Sequence, residues 1–192
     1  MKSGSQYHHG DLAAALVRSA ITHVRNEGAS SFSLRLAAKA AGVTPAAVYR
    51  HFENREALLN EVALHGFNLL AELMANRSSK GTGLERFSAA GMAYVQFASN
   101  EPMLFSLMYG QDGAETRRRV HAGDATFSVP DTSVQIQTLL VECLGKKPSE
   151  ALYFRAWGLA HGLASLVANE LISVSDRRIK RAIRDFAESI ET

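Results

Sequence analysis

The chain has 192 residues and a net charge of +2, which suits one large domain or a small domain joined to a medium one. No stretch reaches the ~18 consecutive apolar residues of a membrane span. The N-terminal MKSGSQYHHG lacks the apolar segment of a signal peptide, and a single cysteine, Cys143, excludes an internal disulfide. We therefore expect a cytoplasmic protein that is not embedded in a membrane.

The first predicted helix runs from about Asp11 to Glu27 and ends at Gly28. Its apolar residues recur at helical spacing on one face, so that face is expected to be buried. Before it lies a short arm with Lys2, His8 and His9, which is expected to be flexible and to contact phosphate or stay disordered.

Two short helices follow within SLRLAAKAAGVTPAAVYRHF, residues 33–52. Ser33 can cap the first of them, and Thr44 can cap the second with Pro45 at its first position. Gly42 can end the first helix with a positive φ. Val48 is expected to face back into the core. The pattern predicts a helix-turn-helix, an element that places its second helix in the major groove of DNA. A plain helical hairpin is the alternative, but the double capping and the Tyr-Arg-His end favour DNA binding.

Helical periodicity continues to the C-terminus, and no strand pattern of period two occurs anywhere. The residues 110–132 are the hardest to interpret, although 114–122 permit a helix. This stretch also contains three consecutive arginines, Arg117, Arg118 and Arg119. We expect them to lie on a solvent-exposed helix face, and a second DNA-binding patch is the less favoured alternative. About nine helices are expected in all, and those after residue 54 cover approximately 55–77, 84–99, 102–109, 133–144, 149–171 and 175–190.

The residues from Tyr7 to Ala63, and GVTPAAVYRHFENREALL above all, resemble the DNA-binding domain of the tetracycline-repressor (TetR) family. Farther on, AWGLAHGLA (Ala156–Ala164) and NEPMLFSLMYG resemble the family's Trp-His-Gly subgroup. One departure is Arg55, where the family often has lysine. The resemblance implies an all-α fold with an N-terminal three-helix helix-turn-helix domain, residues 1–55. A C-terminal helical ligand-binding and dimerisation domain, residues 56–192, is implied to follow, with the helix after Asn54 linking the two.

The residue roles at DNA can be transferred position by position. The start of the recognition helix is expected to lie nearest the base edges, while Tyr49 and His51 are similar to the family's phosphate-contacting pair. Arg50 is expected either to read guanine or to lie on the backbone. Residues 1–55 carry seven Lys and Arg against three acids, a charge balance that suits phosphate. The predicted DNA-binding residues are Ser33, Arg35, Thr44, Pro45, Ala46, Tyr49, Arg50, His51 and Arg55.

The second predicted site is a pocket for a small molecule in the middle of the chain, which is rich in aromatic and Met residues. Most of these side chains are expected in the core, and a few polar ones can orient a ligand. The effector is expected to be mostly apolar or aromatic. The predicted ligand-binding residues are Phe67, Tyr94, Phe97, Met103, Met108, Tyr109, Trp157 and His161.

The last two predicted helices are expected to form a symmetric four-helix interface with a second copy of the chain. The helix over 149–171 is apolar on more than one side, so part of it needs a partner to cover it. A homodimer then predicts an inverted-repeat operator. A monomer with a large core is the alternative. The predicted interface residues are Leu152, Ala156, Leu159, Leu163, Ile179, Ala182, Ile183 and Phe186.

No spacing of residues indicates catalysis, a cofactor or a metal site. A nucleotide loop and a nucleophile elbow are absent from the sequence, and His8-His9-x-Asp11 lacks a third ligand. The sequence therefore predicts a ligand-responsive DNA-binding regulator, most simply a repressor released by a small molecule. The alternative is a DNA-binding adaptor controlled by a protein partner, for which a solid core in place of a pocket would be evidence.

Overall fold

The computed structural model describes residues 9–122 and 132–190, without the side chains of residues 9–11. Lys2, His8 and part of the 110–132 stretch, residues 123–131, lie outside these residues. The helices are α1 (His9–Glu27), α2 (Leu34–Ala40), α3 (Pro45–Tyr49), α4 (Arg55–Arg77), α5 (Gly83–Asn100), α6 (Pro102–Tyr109), α7 (Ala114–His121), α8 (Thr132–Leu144), α9 (Glu150–Ala168) and α10 (Arg177–Glu188).

The described residues contain ten helices and no strand, which confirms the all-α prediction. The additional helix is α7, in the stretch that the sequence left least clear. Several boundaries differ from the predicted ones by one to three residues. His9 begins α1 instead of lying in an arm, and α9 ends at Ala168 instead of residue 171. Helix α10 begins at Arg177, two residues later than predicted, because the Asp176 carboxylate caps it by accepting from the backbone N–H of Arg178.

The N-terminal part of the chain is a three-helix unit. The apolar face of α1, including Leu16 and Val24, packs with Ala37 and Val48 from the two short helices, and all four side chains are almost completely buried. The fourth helix then starts at Arg55, capped by the Asn54 side chain, which accepts from the Ala57 N–H. Helix α4 therefore starts at the end of this unit and extends to the helices that follow, which it contacts.

The C-terminal helices are arranged around α5, which contacts α4, α6, α8, α9 and α10. Its N-terminus carries a capping box, in which Thr82 and Glu85 exchange hydrogen bonds with each other's backbone. One continuous apolar core runs from α1 to α10. Because α6 contacts α1 and α4 as well as α5 and α9, it lies between the N-terminal unit and the rest of the molecule.

Candidate DNA-binding surface and ligand groove

The two short helices are connected as the sequence predicts. Ser33 Oγ accepts from the Leu36 N–H, and Thr44 Oγ1 accepts from the Ala47 N–H, each at 3.3 Å. Gly42 has a φ of +67°, a conformation that a side chain disfavours, and it turns the chain between the helices. Val48 is fully buried and holds α3 on the unit.

The opposite face of α3 is open to solvent. Tyr49 is 58% exposed, and Thr44, Pro45, Ala46 and Arg50 are also exposed, whereas His51 is half-buried. At the start of α2, Arg35 is exposed and Ser33 half-buried. A helix that is anchored on one side and presents short and hydrogen-bonding side chains on the other has the shape needed to enter a major groove.

Arg55 is arranged differently from the other predicted DNA-binding residues. Its Nη1 and Nη2 donate to the two carboxylate oxygens of Asp112 at 2.7 and 3.2 Å. Its Nε donates to the Phe32 carbonyl at 3.1 Å, and Nη2 also donates to the Ala29 carbonyl at 2.7 Å. The hydrogen bond to Asp112 raises the pKa of Arg55. The guanidinium is thus directed into the protein, and the predicted phosphate contact finds no support in this arrangement.

Four of the predicted ligand residues come together in one aromatic cluster between α5, α6 and α9. The ring centroids of Tyr109 and His161 are 4.6 Å apart, and Phe105 lies 4.9 Å from Tyr109 and 5.4 Å from His161. Trp157 lies 5.9 Å from His161. Tyr94, buried beneath them, has its hydroxyl 3.0 Å from Nδ1 of His161.

Two titratable members of this cluster, Tyr94 and His161, favour their neutral forms. Burial raises the pKa of Tyr94 well above 10. Burial also lowers the pKa of His161 below its ordinary value, and the positive charge of Arg117 adds to the effect. Arg117 donates to the carbonyls of Met108 and Gly110. Of the three consecutive arginines at 117–119, Arg117 therefore makes structural hydrogen bonds at the C-terminal end of α6.

A surface groove of about 410 Å³ lies beside this cluster, between α6 and α9. We call it the α6–α9 groove. Its lining contains apolar rings and a few hydroxyl and amide groups, without any Lys, Arg, Asp or Glu. The lining residues are Pro102, Met103, Phe105, Ser106, Tyr109, Gly110, His161, Ser165, Ala168 and Asn169.

The other predicted ligand residues are distributed between core and surface. Met103 lies at the groove and is exposed. Phe67, Phe97 and Met108 are almost completely buried. A separate internal space bordered by Tyr94 and Ala156, between α4, α5, α8 and α9, measures only about 20 Å³. A larger groove of about 600 Å³ lies between α1 and α2, and none of its lining residues belongs to the aromatic cluster.

The outer face of α9 is uncovered along four residues at helical spacing, namely Phe154, Gly158, Gly162 and Leu166. No atom outside α9's own backbone and the chain neighbours lies within 4 Å of a Cβ built on either glycine. Part of the predicted interface needs correction, because Ala156, Ile179 and Ile183 are buried by their own chain and have no surface to offer. Leu152, Leu159, Leu163, Ala182 and Phe186 are half-buried and remain predicted interface residues.

The sequence did not predict the partners of Arg55 or a second ion pair, in which Arg25 Nε and Nη2 donate to the Glu101 carboxylate at 2.8 Å each. These pairs join residues that are 57 and 76 positions apart. No local sequence pattern indicates a contact between residues so far apart in the chain. The groove hydroxyls of Ser106 and Ser165 were also missed, because a serine on a helix has no distinctive spacing.

These features define the class of the N-terminal unit as a helix-turn-helix domain. Residues 16–62 match the family model of bacterial regulatory proteins, tetR family. The chain therefore has an N-terminal TetR helix-turn-helix domain followed by a helical C-terminal part. No curated protein matches the chain.

Three solved structures are similar over nearly the full length. A protein of unknown function from Rhodococcus sp. RHA1 is 28% identical, with 98% of this chain and 100% of that chain covered and a TM-score of 0.76. FadR from Bacillus subtilis, in complex with stearoyl-CoA, is 14% identical, with coverages of 93% and 97% and a TM-score of 0.65. RolR, in complex with resorcinol, is 16% identical, with coverages of 96% and 94% and a TM-score of 0.67. At these low identities, the likeness to FadR and RolR shows only that their fold is similar to that of this chain.

Two kinds of feature are absent from the part of the chain that the structure describes. None of their helices is long and apolar enough to cross a membrane. Among the same residues, no three His, Cys, Asp or Glu side chains are grouped so that they can hold a metal ion.

Proposed function

We propose that this protein is a DNA-binding transcriptional regulator that binds an inverted-repeat operator as a homodimer, acts as a repressor and is released by a small molecule. The observation that carries the proposal is the exposed face of α3, with Thr44, Ala46 and Tyr49 outward and Val48 buried behind them. It is supported by the tetR-family match of residues 16–62.

The DNA roles proposed for this face follow from the chemistry of its side chains. Pro45 and Ala46 are suited to thymine methyl groups. The hydroxyls of Thr44 and Tyr49 are suited to phosphate oxygens, as are Ser33, Arg35 and His51 beside them. Arg50, at the C-terminal end of α3, is exposed and suited to guanine or phosphate.

The proposed dimer uses the uncovered face of α9 and the adjoining edge of α10. Gly158 and Gly162 allow two helices to approach closely, and Phe154 and Leu166 supply apolar area on either side. The half-buried Leu159, Leu163 and Phe186 border this face. Two copies related by a two-fold axis would present their α3 helices to successive major grooves, about 34–36 Å apart.

The proposed effector site is the α6–α9 groove. Its lining has no charged residue, and the lowered pKa of His161 keeps that side chain neutral at pH 7. Clustered aromatic rings next to a few hydroxyls suit a neutral, mostly aromatic molecule that carries a hydrogen-bonding group. The similar fold of RolR, solved with resorcinol, agrees with a ligand of this kind. The Trp-His-Gly subgroup remains our hypothesis for the C-terminal part, on the strength of Trp157, His161 and Gly162.

The second candidate is a DNA-binding adaptor without a small-molecule ligand. One observation favours it: the internal space bordered by Tyr94 and Ala156 measures about 20 Å³, which is too small for an effector. The two candidates differ in what happens when phenolic compounds are added. Release from DNA and a raised Tm support the sensor, whereas a full panel of neutral aromatic compounds without effect on either supports the adaptor.

The experiment that tests the proposed function is selection of random-sequence duplex DNA by the purified protein. We expect the selected duplexes to contain an inverted repeat whose half-sites are one or more helical turns apart. Binding to that repeat is expected to weaken steeply with salt and to stay tighter than binding to an unrelated duplex. Enrichment of no sequence above background is the result that would refute a sequence-specific regulator.

A further inference from the structure

Two arginine–carboxylate pairs lie at the two ends of α6, and we call them the α6 ion pairs. At the N-terminal end, Arg25 of α1 binds Glu101, the N-cap residue of α6, through two hydrogen bonds of 2.8 Å. At the C-terminal end, Arg55 binds Asp112, two residues after the C-cap residue Gly110. Both arginines belong to the N-terminal part of the chain, and both carboxylates belong to the segment around α6.

The Arg55 pair joins three segments. Besides Asp112, the guanidinium binds the carbonyls of Ala29 and Phe32, in the turn between α1 and α2. These four hydrogen bonds use four of the five N–H groups of an arginine. A lysine ammonium has three donors and no planar fork, so it cannot reproduce this set.

The helix between the two pairs also faces the proposed effector site. Phe105 and Tyr109 of α6 line the α6–α9 groove. On its other side, α6 packs against α4, where Gly66 meets Met108 and Leu104, and against α1, where Met103 lies close to Gly28. A displacement of α6 by a molecule in the groove therefore acts on both pairs at once.

We propose that Arg25 and Arg55 are positioning residues for DNA binding, which fix the helix-turn-helix domain on α6 through Glu101 and Asp112, and that Arg55 does not contact DNA phosphate. The inference rests on the proposed function. It gives the arginine at position 55 a role that the lysine common in related domains cannot perform. Through these pairs, the orientation of α2 and α3 depends on where α6 lies.

A positioning role and a phosphate contact predict different salt dependence. Removing one phosphate contact makes the negative slope of log K against log salt concentration shallower by about 0.9. Removing a contact that only holds the domain in place weakens binding and leaves the slope unchanged. The charge-conserving variant Arg55→Lys separates the two roles further. A lysine can still contact phosphate, but it cannot form the four hydrogen bonds that the guanidinium makes.

The first experiment measures binding of Arg55→Lys and Asp112→Asn to the inverted repeat selected by the wild-type protein. We expect both variants to bind about tenfold more weakly, with an unchanged salt slope. If Arg55 contacted phosphate, Arg55→Lys would bind like the wild type, and Asp112→Asn would bind more tightly because it frees the arginine and removes a negative charge. Either result would overturn the proposal.

The second experiment exchanges the charges of the other pair. Arg25→Glu and Glu101→Arg are each expected to weaken binding, and the double variant is expected to recover most of the affinity because the ion pair is restored in reverse. The matched control is Glu142→Gln, which breaks the Arg86–Glu142 pair between α5 and α8, away from the helix-turn-helix domain. Loss of affinity in the control equal to that in Glu101→Arg, or no recovery in the double variant, would contradict the proposal.

A third measurement needs no DNA, and it separates failure of this inference from failure of the proposed function. Hydrogen exchange of the backbone amides in residues 28–33 is expected to speed up in Asp112→Asn and to stay unchanged in Glu142→Gln. If the wild type selects no DNA sequence, the proposed function fails, while faster exchange still supports the contact. Unchanged exchange in Asp112→Asn shows that the pair does not hold the turn.

Discussion

Gly66 of α4 lies so close to Met108 of α6 that a Cβ atom at position 66 would come within 2.5 Å of the methionine sulfur and 3.0 Å of Leu104 Cγ. The two helices that link the N-terminal unit to the groove are thus in direct contact through a residue without a side chain. This contact fixes the distance between α4 and α6, and a single methyl group can change it.

We predict that Gly66→Ala lowers the free energy of unfolding. Overpacking of a tight contact costs about 1–3 kcal/mol, which exceeds the ~1 kcal/mol that alanine gains over glycine in a helix. Denaturant unfolding measures the difference. The matched control is Asn76→Ala on the exposed side of the same helix, where alanine has the higher helix propensity and the chain should become slightly more stable. Stabilisation of Gly66→Ala equal to that of the control would show that α6 moves aside freely.

The exposed face of α3 leads to a prediction about DNA. Tyr49→Phe removes a hydroxyl suited to phosphate, so we expect about three- to tenfold weaker binding to every duplex, selected or not. Ala46→Ser is expected instead to change the preferred base at one position of each half-site. Competition binding with the selected repeat and with single-base variants measures both effects. A general loss from Ala46→Ser, with the base preference intact, would assign Ala46 to the backbone instead.

The open glycines of α9 lead to a prediction about assembly. Gly162→Gln fits the monomer, because nothing crowds the position, and it should raise helix stability by up to ~1 kcal/mol. In the proposed dimer the same side chain would separate the two α9 helices. Sedimentation at micromolar concentration is therefore expected to give a dimer for the wild type and a monomer for the variant. Ala75→Gln, on the exposed side of α4, is the control, and it should stay dimeric.

The neutral His161 leads to a prediction about pH. Its pKa in the folded protein lies below the ordinary value of 6.5, so between these two values the unfolded chain binds more protons than the folded one. Stability is therefore expected to fall as the pH is lowered from 7 through this window, and Tm should fall with it. His161→Gln should reduce the slope of Tm against pH. His65 has a pKa lowered by burial too, so some slope should remain until His65→Gln is added. An unchanged slope in the double variant would assign the dependence to other groups.

The local structure of this protein could be predicted from its sequence to a large extent. The caps at Ser33, Thr44 and Asn54 and the turn at Gly42 depend on neighbours within four residues, so the pattern of residue types determines them. The helical class of the whole chain follows from the same periodicity. The exposed face of α3 was also predictable, because a short helix with one buried residue exposes the others.

Contacts between distant parts of the chain were decided only by the tertiary structure. Arg55 has the same local sequence with or without a carboxylate partner, and only the tertiary structure brings Asp112 beside it. Ile179 and Ile183 form an apolar stripe that suits a second subunit as well as α5, and packing within the chain covers them. The sequence determined which faces are apolar and which residues begin and end the helices. The tertiary structure determined which partner each face and each charge received, because that choice depends on distances between residues far apart in the chain.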